Sequence, residues 1–380
     1  MLLDTNTDED SGDLEEQLPT EADSQDNQTI ETSKDIDSED TDSDILSEEP
    51  DSSGDSVTEE NGVLEADIRH PAFDEIVNIE DTIMADMEED AVCEIGGTEY
   101  ASIQEAVDHI DTTATIKLLK SFTTNQGLVI ENKDITLDLN GYTLTIETND
   151  SEGLMVRDGT LELINEGEFN VSGDLFGVWA SNSTVTVTNA TATKEGTFGA
   201  YGCTGVYAFK SNVIVRQNVV GSVHGVKAED KNTKVTVYGD VSNRANAAGA
   251  VHITGAAEVT VEGNVTNEQG YGLRIEGSGK ITVGKDVTSG YQGVKVERGG
   301  NFEIYIKGDI YSESEGVDVS SGIGTVTIDG EIYNEKDYII RLSSKSLKKE
   351  DGISDPAKPG YIKYEYVDYP NAVVWMRNPS

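Results

Sequence analysis

The stretch TVYGDVSN at residues 236–243 decides the fold, because related stretches return four more times along the chain. The later copies begin at residues 260, 282, 305 and 327 and read TVEGNVTN, TVGKDVTS, YIKGDIYS and TIDGEIYN. In each copy, apolar residues alternate with polar ones on both sides of a turn that contains Gly and Asp, Asn or Glu. Alternation with period two predicts short strands that bury one face.

A glycine followed by an apolar residue, one residue of any kind and usually another apolar residue marks a longer series. Its members are Gly153, Gly177, Gly205, Gly225, Gly249, Gly272, Gly293 and Gly316, spaced by 20 to 28 residues. Short β-branched strands at this period, with no helix between them, predict a right-handed parallel β-helix of about ten coils. A leucine-rich repeat would need a Leu-rich consensus, and a propeller blade would need about 40 residues.

The repeat also predicts which side chains point inwards. One inward column consists of Val178, Val206, Val226, Val251, Leu273, Val294 and Val317. A second consists of Val241, Val265, Val287, Ile310 and Ile332. The β-helix is expected over residues 91–338. Residues 102–110 predict a capping helix with an apolar face, which begins with a Ser102–Glu105 capping box. Residues 339–380 break the repeat and predict a C-terminal cap.

Residues 1–90 differ sharply in charge from the rest of the chain. They carry 33 Asp and Glu against one Lys and one Arg, a net charge of −31 within a total of −46. With Phe73 as the one aromatic residue, this acidic leader cannot bury enough apolar surface to offset its ordering entropy, so it is predicted to be disordered. Its charge argues against nucleic acid and anionic membranes as partners. No apolar stretch is long enough for a transmembrane helix.

Cysteine and histidine provide little evidence for chemistry. Cys93 and Cys203 lie 110 residues apart, and two free thiols are expected. No His has a metal-ligand spacing with another His or a Cys, and no Ser lies in a nucleophile-elbow motif. No cofactor is therefore expected. The series Asp240, Asn264, Asp286, Asp309 and Glu331 leaves one alternative open, a row of carboxylates that binds Ca²⁺. The other interpretation is that these turn side chains bind nearby backbone.

Three stretches carry a resemblance to a known family: EYASIQEAVDHI at 99–110, TIKLLKS at 115–121 and ITLDLNGYTLTI at 135–146. They resemble the opening of secreted bacterial β-helix proteins of the pectate-lyase-like superfamily, and the resemblance covers about 93–338. It implies a protein outside the cell or at its surface that handles polysaccharides, as an enzyme or as a non-catalytic surface protein. Residues 1–10, MLLDTNTDED, show no signal peptide, so this localisation rests on the resemblance.

The catalytic motifs of that superfamily are missing, which favours a non-catalytic role. The nearest matches to the hydrolase motifs GHG and RIK are VHG at 223–225 and RIE at 274–276, and neither has its partner motifs. The sequence leaves three functions open: a carbohydrate-binding or adhesive module, a polysaccharide lyase or glycoside hydrolase, and a structural segment of a larger surface protein.

The strand after each anchor glycine predicts two outward columns, and from these we predict the binding site. The predicted site residues are Trp179, Tyr207, Phe209, Lys227, His252, Arg274, Glu276, Lys295 and Glu297. Aromatic rings at one end and an exposed basic ladder at the other predict a groove for a polysaccharide or surface glycan, with an acidic polymer favoured. The alternative is a solvated face with surface ion pairs Lys227–Glu229, Arg274–Glu276 and Lys295–Glu297. Tyr311 and Tyr333 share another outward slot, which cross-strand stacking explains without function.

Overall fold

The computed structural model describes residues 90–149, 152–195, 203–246 and 248–379. The predicted disorder of the acidic leader lies outside these residues, except at Asp90. Within the described part, the chain is an all-β parallel solenoid of about ten coils with three strands per coil. This confirms the repeat-based prediction of the architecture. The described residues contain no helix long and apolar enough to cross a membrane.

Three sheets run along the solenoid, and each receives one strand from every coil. Sheet A contains Cys93–Ile95, Thr98–Tyr100, Thr113–Leu118, Asp134–Asp138, Thr160–Ile164, Thr184–Val187, Asn212–Val215, Lys234–Val237, Glu258–Val261, Gly279–Val283, Asn301–Ile306, Ile323–Ile328, Ile353–Ser354, Tyr361–Tyr366 and Tyr369–Arg377. Sheet B contains Phe122–Thr124, Thr143–Glu147, Glu168–Gly173, Asn189–Ala192, Val219–Val220, Val241–Asn243, Val265–Asn267, Val287–Ser289, Ile310–Ser312 and Ile332–Asn334. Sheet C contains Leu128–Glu131, Glu152–Arg157, Phe176–Ser181, Thr204–Phe209, His224–Glu229, Gly249–Thr254, Tyr271–Glu276, Val294–Glu297, Val317–Val319, Ile340–Leu342 and Lys345–Leu347.

The core is a stack of β-branched and leucine side chains contributed by all three sheets. Both predicted inward columns are buried, with every member at most 7% exposed. Most anchor glycines lie at or beside the start of a sheet C strand, close to the sheet B strand that follows one coil later. A Cβ added at Gly293 would lie 2.3 Å from Cγ2 of Ile310, and one at Gly272 would lie 2.4 Å from Cγ1 of Val287. At six of the eight anchor positions, the sheet B column leaves no room for a side chain; the exceptions are Gly177 and Gly249, which meet other atoms.

A series of Asp and Asn residues, each at or just before the start of a sheet B strand, forms a hydrogen-bonded ladder along the solenoid. In each step, the side-chain Oδ1 of one coil accepts the backbone N–H of the equivalent residue one coil later. The series runs Asn189, Asn218, Asp240, Asn264, Asp286, Asp309 and Glu331, with N···O distances of 2.6 to 3.3 Å. The interpretation of these residues as turn side chains that bind backbone is therefore confirmed, and the ladder begins two coils earlier than the sequence pattern suggested.

The glycines beside this ladder have a steric cause of their own. A Cβ at Gly308 would lie 2.2 Å from Oδ1 of Asp286, and one at Gly330 would lie 2.2 Å from Oδ1 of Asp309. The side-chain oxygen of one coil therefore occupies the space in which the next coil lacks a Cβ. This explains why glycine precedes the acidic residue in the repeated turn.

Non-repetitive segments adjoin both ends of the solenoid. The helix Ile103–Asp108 begins at Ser102, whose Oγ accepts the backbone N–H of Glu105 at 3.1 Å. Gln104 pairs with both backbone groups of Val129 on the first strand of sheet C, at 2.9 and 3.2 Å. Near the C-terminus, the hairpin of Tyr361–Tyr366 and Tyr369–Arg377 joins sheet A, and a 3-10 helix spans Lys349–Asp351. Whether these segments act as caps, and the domain boundaries at 91 and 338, stay predictions.

Candidate functional site

The predicted outward column on sheet C has the expected register. Parallel pairing places Trp179 beside Tyr207, Tyr207 beside Lys227, and then His252, Arg274, Lys295 and Asp318 on successive coils. The second column is aligned in the same way through Phe209, Glu229, Glu276 and Glu297. The sequence therefore predicted correctly which residues share this face.

At the aromatic end of the column, the side chains stack on one another along the solenoid. Trp179 lies 6.2 Å from Tyr207, centroid to centroid, with an interplanar angle of 20°. The guanidinium of Arg157 lies 5.3 Å from the Trp179 ring, and the ammonium of Lys227 lies 5.7 Å from the Tyr207 ring. Trp179 therefore has a cation from the preceding coil and an aromatic ring from the following coil as neighbours.

At the charged end, the prediction of an exposed basic ladder is wrong. His252, Arg274 and Lys295 are each at most 8% exposed. Arg274 donates to Glu297 through Nε and Nη2 at 2.9 and 2.6 Å, and Nη2 also lies 2.8 Å from Glu276. These long side chains fold back along the sheet onto carboxylates, so the charge of this surface is largely neutralised within it.

Two of the three predicted pairings are present, although Arg274 and Glu276 are nearly buried rather than solvated. Lys227 pairs with Glu229 at 2.9 Å, and Arg274 pairs with Glu276. Lys295 instead donates to Asp318 at 2.8 Å. Because every cation of the column lies at ion-pair distance from a carboxylate, the argument that it selects an acidic polymer loses its basis. The assignment of Trp179, Phe209 and the other column residues to glycan binding stays a prediction.

Two histidines occupy the centre of this charged face. The rings of His224 and His252 lie 4.9 Å apart, and His224 Nδ1 is 3.0 Å from the carbonyl oxygen of Gly249. His252 Nε2 is 3.3 Å from Oε1 of Glu276, although neither ring nitrogen of His252 has a hydrogen bond of good geometry in the described structure. Burial, with nearby His252, lowers the pKa of His224 to about 3, and burial also lowers the pKa of His252. The proximity of His252, together with Arg274, lowers the pKa of Glu276 to about 2.

The histidine pair predicts a loss of stability in mild acid. Both pKa values lie below the unfolded value of 6.5. As the pH falls below 6.5, the unfolded chain binds protons that the folded state excludes, so the free energy of unfolding falls by up to about 1.4 kcal/mol per pH unit for each histidine. The pKa values of Glu276 and Asp318 are also lowered, so protonation of these groups reduces the free energy of unfolding as well, but only below their unfolded pKa values of 4.5 and 3.8.

Chemical denaturation between pH 4.5 and 6.5 separates the histidine contribution from those of Glu276 and Asp318. In this window we expect His252→Gln to reduce the slope of stability against pH, with each variant compared with its own stability at pH 8. A slope that is the same in the variant and the parent would contradict the assignment.

A second surface, on sheet B, contains an open groove that the sequence did not reveal. It has a volume of about 530 Å³ and is lined by four consecutive coils. Its outward slot holds Thr266, Thr288, Tyr311 and Tyr333, paired in register. Tyr311 and Tyr333 stack with centroids 5.1 Å apart at 11°, which confirms the predicted cross-strand stacking.

The groove lies where Gly290 stands between Glu268 and Glu313, and where Thr266 and Thr288 precede Tyr311 in the neighbouring column. Thr288 and Gly290 form its floor, next to Tyr311 and Glu313 on the following coil. Tyr333 on the following coil stacks on the Tyr311 ring, and Thr288 pairs with Tyr311 from the preceding coil. Tyr311 is 40% exposed and donates its hydroxyl to Asp309 at 3.1 Å, a hydrogen bond that raises its pKa. We call this surface the Tyr311 groove.

Comparisons with known proteins leave the family open. No family model, no curated protein and no solved structure matches this chain. The resemblance to the pectate-lyase-like superfamily therefore stays a prediction, as does the right-handed sense of the coil. In the described residues, no group of three or more His, Cys, Asp or Glu is arranged to hold a metal ion. Cys93 and Cys203 are both free, as predicted, and both are buried.

Proposed function

We propose that this protein is a carbohydrate-binding module without catalytic activity, and that the Tyr311 groove holds the glycan. The observation that carries the proposal is the 40% exposed ring of Tyr311 in a groove of about 530 Å³, between Tyr333 on one neighbouring coil and Thr288 on the other. A tyrosine ring offers an apolar face for the C–H side of a pyranose, and convergent polar groups around it can bind hydroxyls. Thr266 and Thr288 provide hydroxyl groups, and Glu268 and Glu313 provide carboxylates.

The proposal places the module outside the cell or at its surface, where its partner would be a polysaccharide or a surface glycan.

A glycan array with the full chain, followed by calorimetry on the best ligand, tests the proposal. Tyr311→Ala is expected to weaken binding by up to about tenfold, because a stacking contact on an aromatic ring contributes about 0.5–1.5 kcal/mol and 1.4 kcal/mol corresponds to a factor of ten. Tyr238→Ala, which removes another exposed tyrosine, is the matched control and should bind as the parent does. Binding that Tyr311→Ala leaves unchanged would refute the site, and no binding to any glycan would refute the function.

The buried column on sheet C supports a second candidate, a polysaccharide lyase or glycoside hydrolase. Perturbed ionisable groups cluster at active sites more often than elsewhere. Here His224, His252 and Glu276 all have shifted pKa values and lie within one contiguous cluster with Arg274 and Lys295. Incubation with array ligands, followed by assays for new reducing ends and unsaturated products, separates the two candidates. Product formation that His252→Gln abolishes would favour the enzyme.

A further inference from the structure

We infer that Lys295 and Asp318 condense to an amide bond between their side chains, which joins two successive coils of sheet C covalently. The product is an isopeptide bond, a modification that the chain performs on itself with the release of water. The inference is independent of the proposed function, because it concerns the buried column on sheet C and not the Tyr311 groove.

The two side chains are already held in contact, away from solvent. The strands Val294–Glu297 and Val317–Val319 are parallel neighbours, and Lys295 pairs in register with Asp318. Asp318 is fully buried, and Lys295 is the most buried lysine among the described residues. The ammonium Nζ lies 2.8 Å from Oδ2 of Asp318. Because a C–O bond is about 1.2 Å long, Nζ is at most about 4 Å from the carboxyl carbon Cγ, near the roughly 3–3.5 Å of a near-attack arrangement.

A hydroxyl group connects the amine to the oxygen that has to leave. Lys295 Nζ donates to Ser320 Oγ at 2.7 Å, and Ser320 Oγ donates to Oδ1 of Asp318 at 3.1 Å. Ser320 can therefore pass a proton from the amine to Oδ1, as general acid–base catalysis requires. The other oxygen, Oδ2, accepts from Nε2 of Gln292 at 2.8 Å and from Arg341. These two donors are placed to stabilise an oxyanion at Oδ2.

The atoms and protons of the step balance without a further reactant. One proton passes from the ammonium group through Ser320 to Oδ1, which leaves a neutral amine and a carboxylic acid. The nitrogen lone pair then attacks Cγ of Asp318, and the electron pair of the C=O bond moves to Oδ2. A second proton follows the same path, and Oδ1 leaves as water with both protons. Oδ2 becomes the carbonyl oxygen of the amide, and the nitrogen of Lys295 keeps its third proton.

Burial favours the amide over the ion pair. Two charges in a site of low polarity carry a desolvation penalty, whereas the amide is neutral. Groups that are held in reacting geometry behave as if each were present at about 10⁵ M or more, and a closed site contains little water to reverse the reaction. Arg341 retains a carboxylate partner after the reaction, because it also lies 3.7 Å from Glu315.

The exposed pair of Lys280 and Glu303 lacks these features and should not react. It also bridges neighbouring coils, at 3.1 Å, but both side chains are about half exposed to solvent. Water therefore solvates both ions and competes with the amine. In the described part of the chain, no hydroxyl group links Lys280 to Glu303. This pair is an internal control for the test.

Mass spectrometry of the full chain tests the inference without a variant. The parent should weigh one water molecule less than the unlinked chain. Trypsin cannot cleave after a lysine whose amine is acylated, so the digest should contain residues 286–298, uncleaved at Lys295, joined to residues 308–336. In the same digest, cleavage after Lys280 should be complete. Lys295→Arg, which has no nucleophilic amine, should have the mass of the unlinked chain.

Ser320→Ala tests the proton relay, because it retains both reacting groups. We expect the bond to form roughly a hundredfold more slowly in this variant, measured as the linked fraction in samples of increasing age. Ser321→Ala is the matched control. It removes the neighbouring hydroxyl, which accepts the backbone N–H of Gly299, and should link as the parent does. The mass of the parent remains decisive even if Ser320→Ala perturbs folding.

Two results would overturn the inference. The first is a parent of unlinked mass, whose digest shows cleavage after Lys295 and a free peptide 308–336. The second is a Ser320→Ala variant that links as fast as the parent, which would exclude the relay. The mass of the parent should be measured before the stabilities of Asp318 variants are compared, because the bond would add to the loss expected from the ion pair.

Discussion

Replacing Asp318 with Ala is expected to lower the free energy of unfolding by about 3–5 kcal/mol, the range found when one partner of a buried ion pair is removed. Asp318 is completely buried and accepts hydrogen bonds from Lys295 and Gln292, each at 2.8 Å, and from Arg341. Without its carboxylate, Lys295 would remain as a largely uncompensated buried cation. The loss arises from that uncompensated charge rather than from the attraction of a single pair.

A matched exposed pair provides the control for this substitution. Lys280 and Glu303 also bridge neighbouring coils, at 3.1 Å, but both side chains are about half exposed to solvent. Glu303→Ala should therefore lower stability by less than about 1 kcal/mol. Equilibrium denaturation of both variants measures the difference. A loss of similar size in the two variants would show that burial of the sheet C column is not what makes Asp318 important.

Gly293→Ala is expected to destabilise the solenoid by about 1–3 kcal/mol, as overpacking of a core does. The added Cβ would lie 2.3 Å from Cγ2 of Ile310 and 2.6 Å from the carbonyl oxygen of Gly316. Both neighbours belong to the stacked core, so the clash cannot be relieved by a flexible surface side chain. Thermal or denaturant unfolding measures the loss.

A double-mutant cycle distinguishes steric overlap from a general effect of alanine. Ile310→Ala removes the methyl group that the new Cβ would meet, so the combined variant should lose less stability than the sum of the two single variants. Thr288 is exposed and belongs to sheet B, as Ile310 does, so Thr288→Ala should change stability by no more than about 0.5 kcal/mol. Strict additivity of Gly293→Ala and Ile310→Ala would contradict the steric explanation.

The sequence predicted the solenoid and its register because the repeat specifies both. A slip of one residue would move each inward column to the surface, so alternation in successive repeats fixes which residues face the core. The columns through Val251 and Val287 were predictable for this reason. The role of the buried Asn267 was not, although its position in the motif was visible. Its side chain donates to Ala248 and Tyr271 and accepts from Gly270, contacts that depend on the path of the turn.

The exposure of the charged column could not be predicted, because alternation gives the direction of a side chain and not its final environment. Lys295 does leave the outer side of its strand, as predicted, but its ammonium group turns along the sheet to Asp318 on the next coil. A sequence pattern contains no information on that turn of the side chain. The same limit explains why the sequence predicted a basic surface, whereas ion pairs neutralise that surface in the structure.

The Tyr311 groove escaped sequence analysis for a different reason. A groove depends on small residues, and Thr288 and Gly290 carry no chemical signal by themselves. The available signal was a contrast along the columns: Gly290 interrupts the series Glu268, Glu313 and Glu335, and Thr288 precedes the two stacked tyrosines. Comparison of residue size along each outward column, coil by coil, could have found it.

The central claim is that the Tyr311 groove binds a glycan, and a crystal structure with the best-binding oligosaccharide tests it most directly. We predict electron density for a sugar ring against the ring of Tyr311, next to Thr288 and Gly290, with its substituents within hydrogen-bond distance of Glu313. Density for the same ligand on the sheet C column near Trp179, with the Tyr311 groove empty, would contradict the claim.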